Sequence, residues 1–417
     1  MAKEELETVP MEPLSPMTQL LNAPSLFILI TFGSKTKLNP FAIVEGIKNT
    51  LIKAPRFSSK QVIDYKKTEE QVWIPVNVRV EDHVIVPNLD HYNIENPDQF
   101  IEDYTSSIAN TAMDMSKPLW EFHLLSIKTS KAESVVVAKI HHSIGDGMSL
   151  VSLLLACARK TSDPYALICT AATTAKPIGS FVSAWWLVAG FWFMIRVTFT
   201  TIVEVFKSLL TMCFLGDTKN SLSVNPNGVR SWKVIHRTIS FDDIKFVKNA
   251  MNMKVNDVLL GLTQAALSNY LRTQYENDPL EYLRCAKATM DMKKVSLEAF
   301  IFYGIMKFIM KCFGGKGVQA IGNRMFGHTT TTISNVKGPD EEISVFGHPV
   351  SYLAGSAIIG SQALIIHYIS YINKIAINLA VDTTTIPDPH SLCDDFEESL
   401  KEMISAIQEK GFHKTEV

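Results

Sequence analysis

With 417 residues, the chain is long enough for two domains or for two halves of one pseudo-symmetric fold. Apolar residues make up 47% and mean hydropathy is +0.11, high for a freely soluble enzyme, while a formal net charge of -2 argues against nucleic acid as a partner. Six cysteines (Cys157, Cys169, Cys213, Cys285, Cys312, Cys393) are scattered without a CxxC pair, which points to reduced thiols in a cytosol-facing compartment. The acidic start, residues 1–13, has no hydrophobic core, so no secretory signal peptide is expected.

Residues 25–32 (Ser-Leu-Phe-Ile-Leu-Ile-Thr-Phe) read as the first strand. From Asn39 to Lys53, Phe41, Val44, Ile47 and Leu51 fall on one helical face, with Asn39 as cap and Pro40 at the first helical position. Residues 72–76 look like a short strand, and 98–113 again have helical spacing. Pro118-Leu119-Trp120 then leads into a strand at 122–125; taken alone it is a turn with a buried aromatic. Ser134-Val-Val-Val-Ala138 is a β-branched run that reads as a buried strand, and residues 148–156 read as a helix. Between them stands Lys139-Ile140-His141-His142-Ser143-Ile144-Gly145-Asp146-Gly147, so two histidines sit where a strand runs out into a turn. Side chains alternate along a strand, so only one of them can look into a given cleft. Gly145 and Gly147 are expected to let the backbone turn sharply around Asp146. No metal site is expected, because adjacent strand histidines diverge and no third ligand stands nearby.

Residues 178–195 carry no charge and include Trp185, Trp186 and Trp192; Arg196 interrupts, and 197–203 resume the apolar run. A spanning helix needs roughly 20 apolar residues, so a transmembrane helix, an interfacial or hairpin anchor and a buried crossover helix all remain open. The tryptophans favour membrane contact. Asn225-Pro226-Asn227-Gly228 opens a second half. Helices are expected at 241–251, from Val255 to Tyr275, and from Asp278, with Lys287, Lys293 and Lys294 along the last. Asn256-Asp257 alone is a helix cap. A β-branched strand at 329–333 runs into Ser334-Asn335-Val336-Lys337-Gly338-Pro339, a turn closed by Gly-Pro. Residues 363–371 and 375–381 read as paired strands joined at Asn373-Lys374, and 388–409 as a closing amphipathic helix with an acidic start.

The histidine nonapeptide resembles the HHxxxDG signature of acyl-CoA-dependent acyltransferases built like chloramphenicol acetyltransferase and peptide-synthetase condensation domains. Pro118-Leu119-Trp120, Asn256-Asp257 and Ser334-Asn335-Val336-Lys337-Gly338-Pro339 resemble the PLW, ND and SNVPGP motifs of one branch, the wax ester synthase/diacylglycerol acyltransferases. Lys337 stands where proline is usual. The resemblance covers nearly the whole chain. It implies an α/β (α+β) fold of two chloramphenicol acetyltransferase-like half-domains, each a mixed β-sheet flanked by helices, with the active site in the channel between them. Residues 1–176 would form the first half with HHxxxDG, 177–224 a hydrophobic membrane-associated or crossover segment, and 225–417 the second half. One departure stands out. Relatives usually carry several tens of residues, including a strand, where Glu276-Asn277 alone bridges two helices here. An internal segment near 276–278 is thus expected to be lacking, leaving neighbouring strands with unpaired edges unless the sheet re-pairs.

The activity implied is transfer of a fatty acyl group from coenzyme A to a long-chain alcohol, giving a wax ester, or to diacylglycerol, giving triacylglycerol. In that superfamily the second histidine, here His142, is the general base, a role that suits an imidazole whose pKa lies near working pH. Asp146 would hold the loop in shape, His141 would support the strand, and Trp120 would floor the site. The sequence does not identify the oxyanion donor; a backbone N–H near Gly147 is one candidate. No serine or cysteine nucleophile stands in a GxSxG-like setting, so direct transfer without an acyl-enzyme is expected. No cofactor is expected, acyl-CoA being a co-substrate held by scattered basic residues such as Lys293 and Lys294. Membrane lipid is an expected partner, on the cytosolic side of the endoplasmic reticulum membrane or also at the plasma membrane. Two alternatives stand beside this reading. A soluble plant-type acyltransferase would carry a late DFGWG element, which is absent. A catalytically weakened or inactive lipid- or acyl-CoA-binding relative is suggested by the missing segment.

Overall fold

The structure is a computed structural model and describes residues 12–15, 18–19, 25–64, 70–89, 93–145, 147–161, 184–213, 221–223, 230–273, 278–327, 329–358 and 362–411. The first half holds β1 (Glu12–Pro13), β2 (Phe27–Ser34), α1 (Pro40–Asn49), β3 (Ser59–Asp64), β4 (Glu70–Pro75) and β5 (Val84–Ile85). It continues with α2 (Pro97–Ala109), β6 (Trp120–Leu125), β7 (Ser134–His141), α3 (Gly147–Cys157) and β8 (Ala158–Lys160). Then come α4 (Ala184–Cys213), β9 (Trp232–Ser240), α5 (Phe241–Ala250), α6 (Val255–Tyr270), α7 (Pro279–Lys294) and α8 (Glu298–Gly327). The last elements are β10 (Thr331–Val336), β11 (Ile343–Val345), β12 (His348–Ile358), β13 (Leu364–Tyr371), β14 (Lys374–Asp382) and α9 (Pro389–Glu409).

Among the described residues the strands form three sheets, ordered β5-β6-β7-β2-β12-β11-β8, β10-β13-β14-β9 and β1-β4-β3. β7 is the centrepiece of the large sheet. All eight of its residues are buried, which is why Val135, Val136 and Val137 run consecutively rather than alternating with polar residues. It pairs antiparallel with β2, Phe27 opposite His141, and with β6, Trp120 opposite Ile140. β11 and β12 come late in the sequence yet join this first sheet, β12 lying antiparallel to β2. The two halves therefore interlock.

The four-stranded sheet divides its side chains by parity. Ile235, Leu379, Ile366 and Tyr368 enter a core with α5, α6, α7 and α9, whereas Val234, Ala380, Ile365, Ile369 and Val336 belong to the core of the first sheet. One face of this sheet is therefore turned toward the other half, and β13 residues of odd number lie on it. Among the described residues β10 pairs only with β13, so it forms one edge of its sheet.

Several boundaries differ from the sequence expectation. α1 is capped by the Asn39 side chain, which accepts from Phe41 N–H and Ala42 N–H, but the helix stops at Asn49 and a 3-10 turn covers Leu51–Lys53. Ile43 and Ile47 form its buried face and Val44 is half-buried, whereas Phe41, in the first turn, is exposed. α6 ends at Tyr270 rather than Tyr275, and residues 274–277 lie outside the described set. β9 and α8 have no counterpart among the expected elements. The four cysteines described, Cys157, Cys285, Cys312 and Cys393, are free thiols.

Candidate active site

His142 follows directly on β7, and its backbone N–H donates to Leu26 O at 3.0 Å, extending the β2–β7 ladder by one rung. Its ring lines a cavity of about 570 Å³, whose walls include Arg56, Phe57, Ser143, Ile144, Gly145 and Leu150. His141 points the other way and is fully buried. Its Nδ1 accepts from the Ser143 backbone N–H at 3.2 Å and meets Ser143 Oγ at 2.7 Å. Because Nδ1 acts as acceptor, the proton of this neutral imidazole is on Nε2. Gln61 Nε2 donates to the same Ser143 Oγ at 2.7 Å, so β3 is tied to the turn that carries His142. The alternation of side chains thus sends one histidine to the cavity and the other to the scaffold.

Pro118-Leu119-Trp120 underlies this turn through backbone as well as side chain. Leu119 O accepts the His141 N–H at 2.9 Å, and Trp120 N–H closes a tight turn on Pro118 O at 3.0 Å. Trp120 is fully buried, donates from Nε1 to Phe57 O at 2.9 Å, and stacks on His83 with ring centroids 4.3 Å apart. Since Phe57 is also a cavity wall, Trp120 supports that wall from behind. Lys139, two residues before His141, is buried. Its ammonium donates to Ile108 O and Thr111 O at 3.2 and 2.6 Å, clamping the C-terminal end of α2 to β7. Burial lowers its pKa from the ordinary lysine value.

The other motif residues sit around the second sheet. Asp257 is fully buried; its carboxylate caps α6 by accepting Lys254 N–H at 3.0 Å and pairs with Lys294 at 3.1 Å. Asn256 Oδ1 accepts from Asn335 Nδ2, which stitches α6 to β10. Ser334 takes the opposite face of β10 and is paired in register with His367. Gly338 lies so close to the β13–β14 hairpin that a Cβ there would fall 2.0 Å from Ser370 O. Its N–H donates to Ser370 Oγ at 3.1 Å, and Pro339 O accepts Ile372 N–H at 2.9 Å. Lys337 forms an exposed ion pair with Asp340 at 2.8 Å.

One expectation needs correction, that for Lys293 and Lys294. Gly145 and Gly147 have no left-handed backbone, and a Cβ on Gly147, the first residue of α3, would meet nothing within 4 Å. Asp146 lies outside the described residues. Lys293 and Lys294 are spent on the scaffold, Lys293 bridging Glu204 and Glu298 and Lys294 bridging Asp257 and Asp291. Arg56, which no motif singles out, is instead the guanidinium in the cavity wall, donating to Ile144 O at 3.3 Å. The sequence reading also did not single out His367 of β13, whose pKa burial lowers to about 4, with a smaller contribution from His142. Its signal in the sequence was a lone polar residue inside an apolar strand. Among the described residues no group of three or more His, Cys, Asp or Glu side chains is placed to hold a metal ion.

Residues 30–180 match the wax ester synthase/diacylglycerol acyltransferase catalytic domain, and residues 265–404 the WS/DGAT C-terminal domain. The chain is 59% identical to wax ester synthase/diacylglycerol acyltransferase 1 of Arabidopsis thaliana, with 100% of this chain and 98% of that protein covered. It is 55% identical to wax ester synthase/diacylglycerol acyltransferase 3 of the same plant, with the same coverage. The first of these alignments runs over 476 positions against 417 residues here, so the relative has positions that this chain lacks. Among solved structures, the wax ester synthase/diacylglycerol acyltransferase from Marinobacter aquaeolei VT8 superposes with a TM-score of 0.64 at 18% identity, covering 95% of this chain and 99% of that one. The first condensation domain of the calcium-dependent antibiotic synthetase superposes with a TM-score of 0.60 at 10% identity, covering 94% and 95%. At such identities the likeness is one of fold, and that fold is the two-lobed, chloramphenicol acetyltransferase-like one described above. Motifs, architecture and full-length similarity agree: this chain belongs to the wax ester synthase/diacylglycerol acyltransferase family of O-acyltransferases.

Proposed function

We propose that the chain transfers a fatty acyl group from acyl-CoA to a long-chain alcohol or to diacylglycerol, with His142 as general base. The observation that carries this reading is the placement of His142 alone of the two histidines on the 570 Å³ cavity, while His141 is locked into the scaffold by Ser143. His142 takes the hydroxyl proton as the oxygen attacks the thioester carbon. The tetrahedral intermediate collapses with loss of coenzyme A thiolate, to which the His142 imidazolium returns the proton. No acyl-enzyme is needed. Arg56, which also pairs with Glu12 of the same cavity at 3.7 Å, places a guanidinium there for the phosphate-bearing donor.

Membrane lipid fits as the second partner because α4 is amphipathic in the inverted sense. Three of its polar side chains face the protein, while Arg196 and Lys207 are exposed: Glu204 is buried and pairs with Lys293 at 2.5 Å, Thr201 Oγ1 accepts Leu297 N–H at 2.9 Å, and Ser208 donates to Glu298. Its apolar side chains face outward, Phe199, Ile202 and Phe206 being 68%, 62% and 64% exposed. The neighbouring α8 adds exposed Phe300, Phe308 and Phe313. A helix arranged so in water would be unfavourable; at a bilayer surface it is favourable. The stretch Ala189–Thr211 is long and apolar enough to cross a membrane. The ion pair of Glu204 with Lys293, however, ties its middle to the protein body, which supports a helix lying in the interface. With a water-soluble donor and free thiols, the cytosolic face of the endoplasmic reticulum is the site this reading assigns.

The test is turnover by the purified full-length chain on vesicles, with acyl-CoA and either acceptor, followed by product identification. Ester formed with one acceptor or both supports the reading. Acyl-CoA binding without ester from either acceptor would establish the binding-only relative instead. Vesicle flotation tests the membrane claim. Phe199→Ser combined with Phe206→Ser should shift the protein to the soluble fraction, and flotation equal to wild type would overturn the assignment of this face.

A further inference from the structure

We infer that His367, on the half of the molecule opposite His142, is the oxyanion donor, its Nε2–H directed at the thioester carbonyl oxygen. The inference rests on acyl transfer at His142 and adds to that reading a residue which none of the recognised motifs contains. β13 is buried at every position except His367, which keeps accessible surface although it lies in mid-strand within a sheet covered on both sides. His367 lies on an inner strand, between β10 and β14, with Ser334 of β10 as its in-register neighbour. Parity fixes which way it looks: His367 shares a face with Ile365 and Ile369, and both pack in the core of the half that carries His142.

The ring is also poised for one task. Nδ1 is buried without a hydrogen-bond partner, and the surface left open is on the Nε2 side. The tautomer that avoids burying an unsatisfied N–H leaves Nδ1 bare and puts the proton on Nε2, toward the open surface. Asn378 fixes the backbone at this point, its Nδ2 donating to His367 O at 3.0 Å while its Oδ1 accepts Gly355 N–H at 3.1 Å. Burial, with His142 nearby, pushes the His367 pKa down to about 4, so the imidazole is neutral at pH 7. A neutral imidazole is a poor proton donor to a thiolate but a competent hydrogen-bond donor to developing negative charge. As the hydroxyl oxygen bonds to the carbonyl carbon, the π electrons move to the carbonyl oxygen, which the Nε2–H stabilises. No proton leaves His367. When the intermediate collapses, the C–S electrons leave with the thiolate, which is protonated by His142.

The test compares three variants in the vesicle assay, each with its melting temperature: His367→Leu, His367→Gln and His367→Asn. Glutamine places an amide N–H where Nε2 was, and asparagine places one where Nδ1 was. Leu should lower kcat by about 10²–10³-fold with the KM for acyl-CoA little changed, since the interaction develops in the transition state. Gln should recover at least roughly tenfold of that loss and Asn should not. The pH dependence set by His142 should be the same in wild type and the Gln variant. A Leu variant as fast as wild type, Asn at or above Gln, or Gln as slow as Leu at equal melting temperature would each overturn the inference. Should Leu fail to fold, the Gln and Asn pair decides by itself. Wild type and His142→Ala run alongside keep the two claims apart. Inactive wild type defeats the acyltransferase reading, whereas active wild type with a dead His142→Ala and an unimpaired His367→Leu defeats only the role of His367.

Discussion

Replacing the two adjacent histidines one at a time should separate chemistry from scaffold. His141 is fully buried and holds Ser143, which in turn holds Gln61 of β3. His141→Ala removes a buried ring, opens a cavity and takes away the acceptor of the Ser143 hydroxyl and backbone N–H. Together these should lower stability by about 2–4 kcal/mol. His142 is half-buried on the cavity wall, so His142→Ala should cost less stability than His141→Ala, about 1 kcal/mol. The rates should run the other way. Loss of a general base lowers kcat about 10²–10⁴-fold, or about 3–5 kcal/mol of transition-state stabilisation, while His141→Ala should keep substantial turnover at a temperature where it is folded. The assay is ester formation on vesicles from acyl-CoA and each acceptor, paired with urea unfolding of the same preparations. If His141→Ala is the inactive variant and His142→Ala the active one, the faces of this strand end have been assigned the wrong way round. If both keep wild-type rates, the motif is structural and the enzyme reading falls.

Gly338→Ala must displace backbone at the β13–β14 hairpin, so a loss of about 1–3 kcal/mol and a slower enzyme are expected, whereas Gly147→Ala meets open space and should leave stability unchanged within about 0.5 kcal/mol; thermal melts of the pair check both. His367 and His236 are both pushed from 6.5 to about 4, chiefly by burial, so in the folded chain they stay neutral where the unfolded chain protonates. Stability should therefore be fully present above about pH 6.5, fall as pH drops, and level off below about 4, each group contributing up to about 3 kcal/mol. Urea midpoints between pH 7 and 4.5 should show this slope, reduced in His367→Gln. Asp257→Ala should lower stability by about 2–4 kcal/mol by removing the α6 cap and the partner of Lys294, and Asp257→Asn by less, because the amide oxygen still accepts Lys254 N–H; equal losses in the unfolding assay would contradict the capping role.

Much of this could be read from the chain itself, and for identifiable reasons. Local signals act over a few residues: the β-branched run before His141 makes β7, Asn39 and Pro40 start α1, and the order of the four motifs specifies the family. Lone polar residues in apolar strands were less legible, because nothing local says what they face. Whether His367 is a misplaced core residue or half of a site depends on the parity of β13 and on which sheet lies opposite. The same holds for Arg56, brought to the cavity by a 3-10 turn, and for Lys293 and Lys294, whose partners Glu204 and Asp257 are distant in sequence. β12 joins the first sheet from the far end of the chain, a pairing that no nearby residue encodes. The apolar character of α4 was plain from composition, but its direction was not. A hydrophobic helix can be turned inward or outward, and only the buried contacts of Thr201, Glu204 and Ser208 decide that its aromatic face points away from the protein.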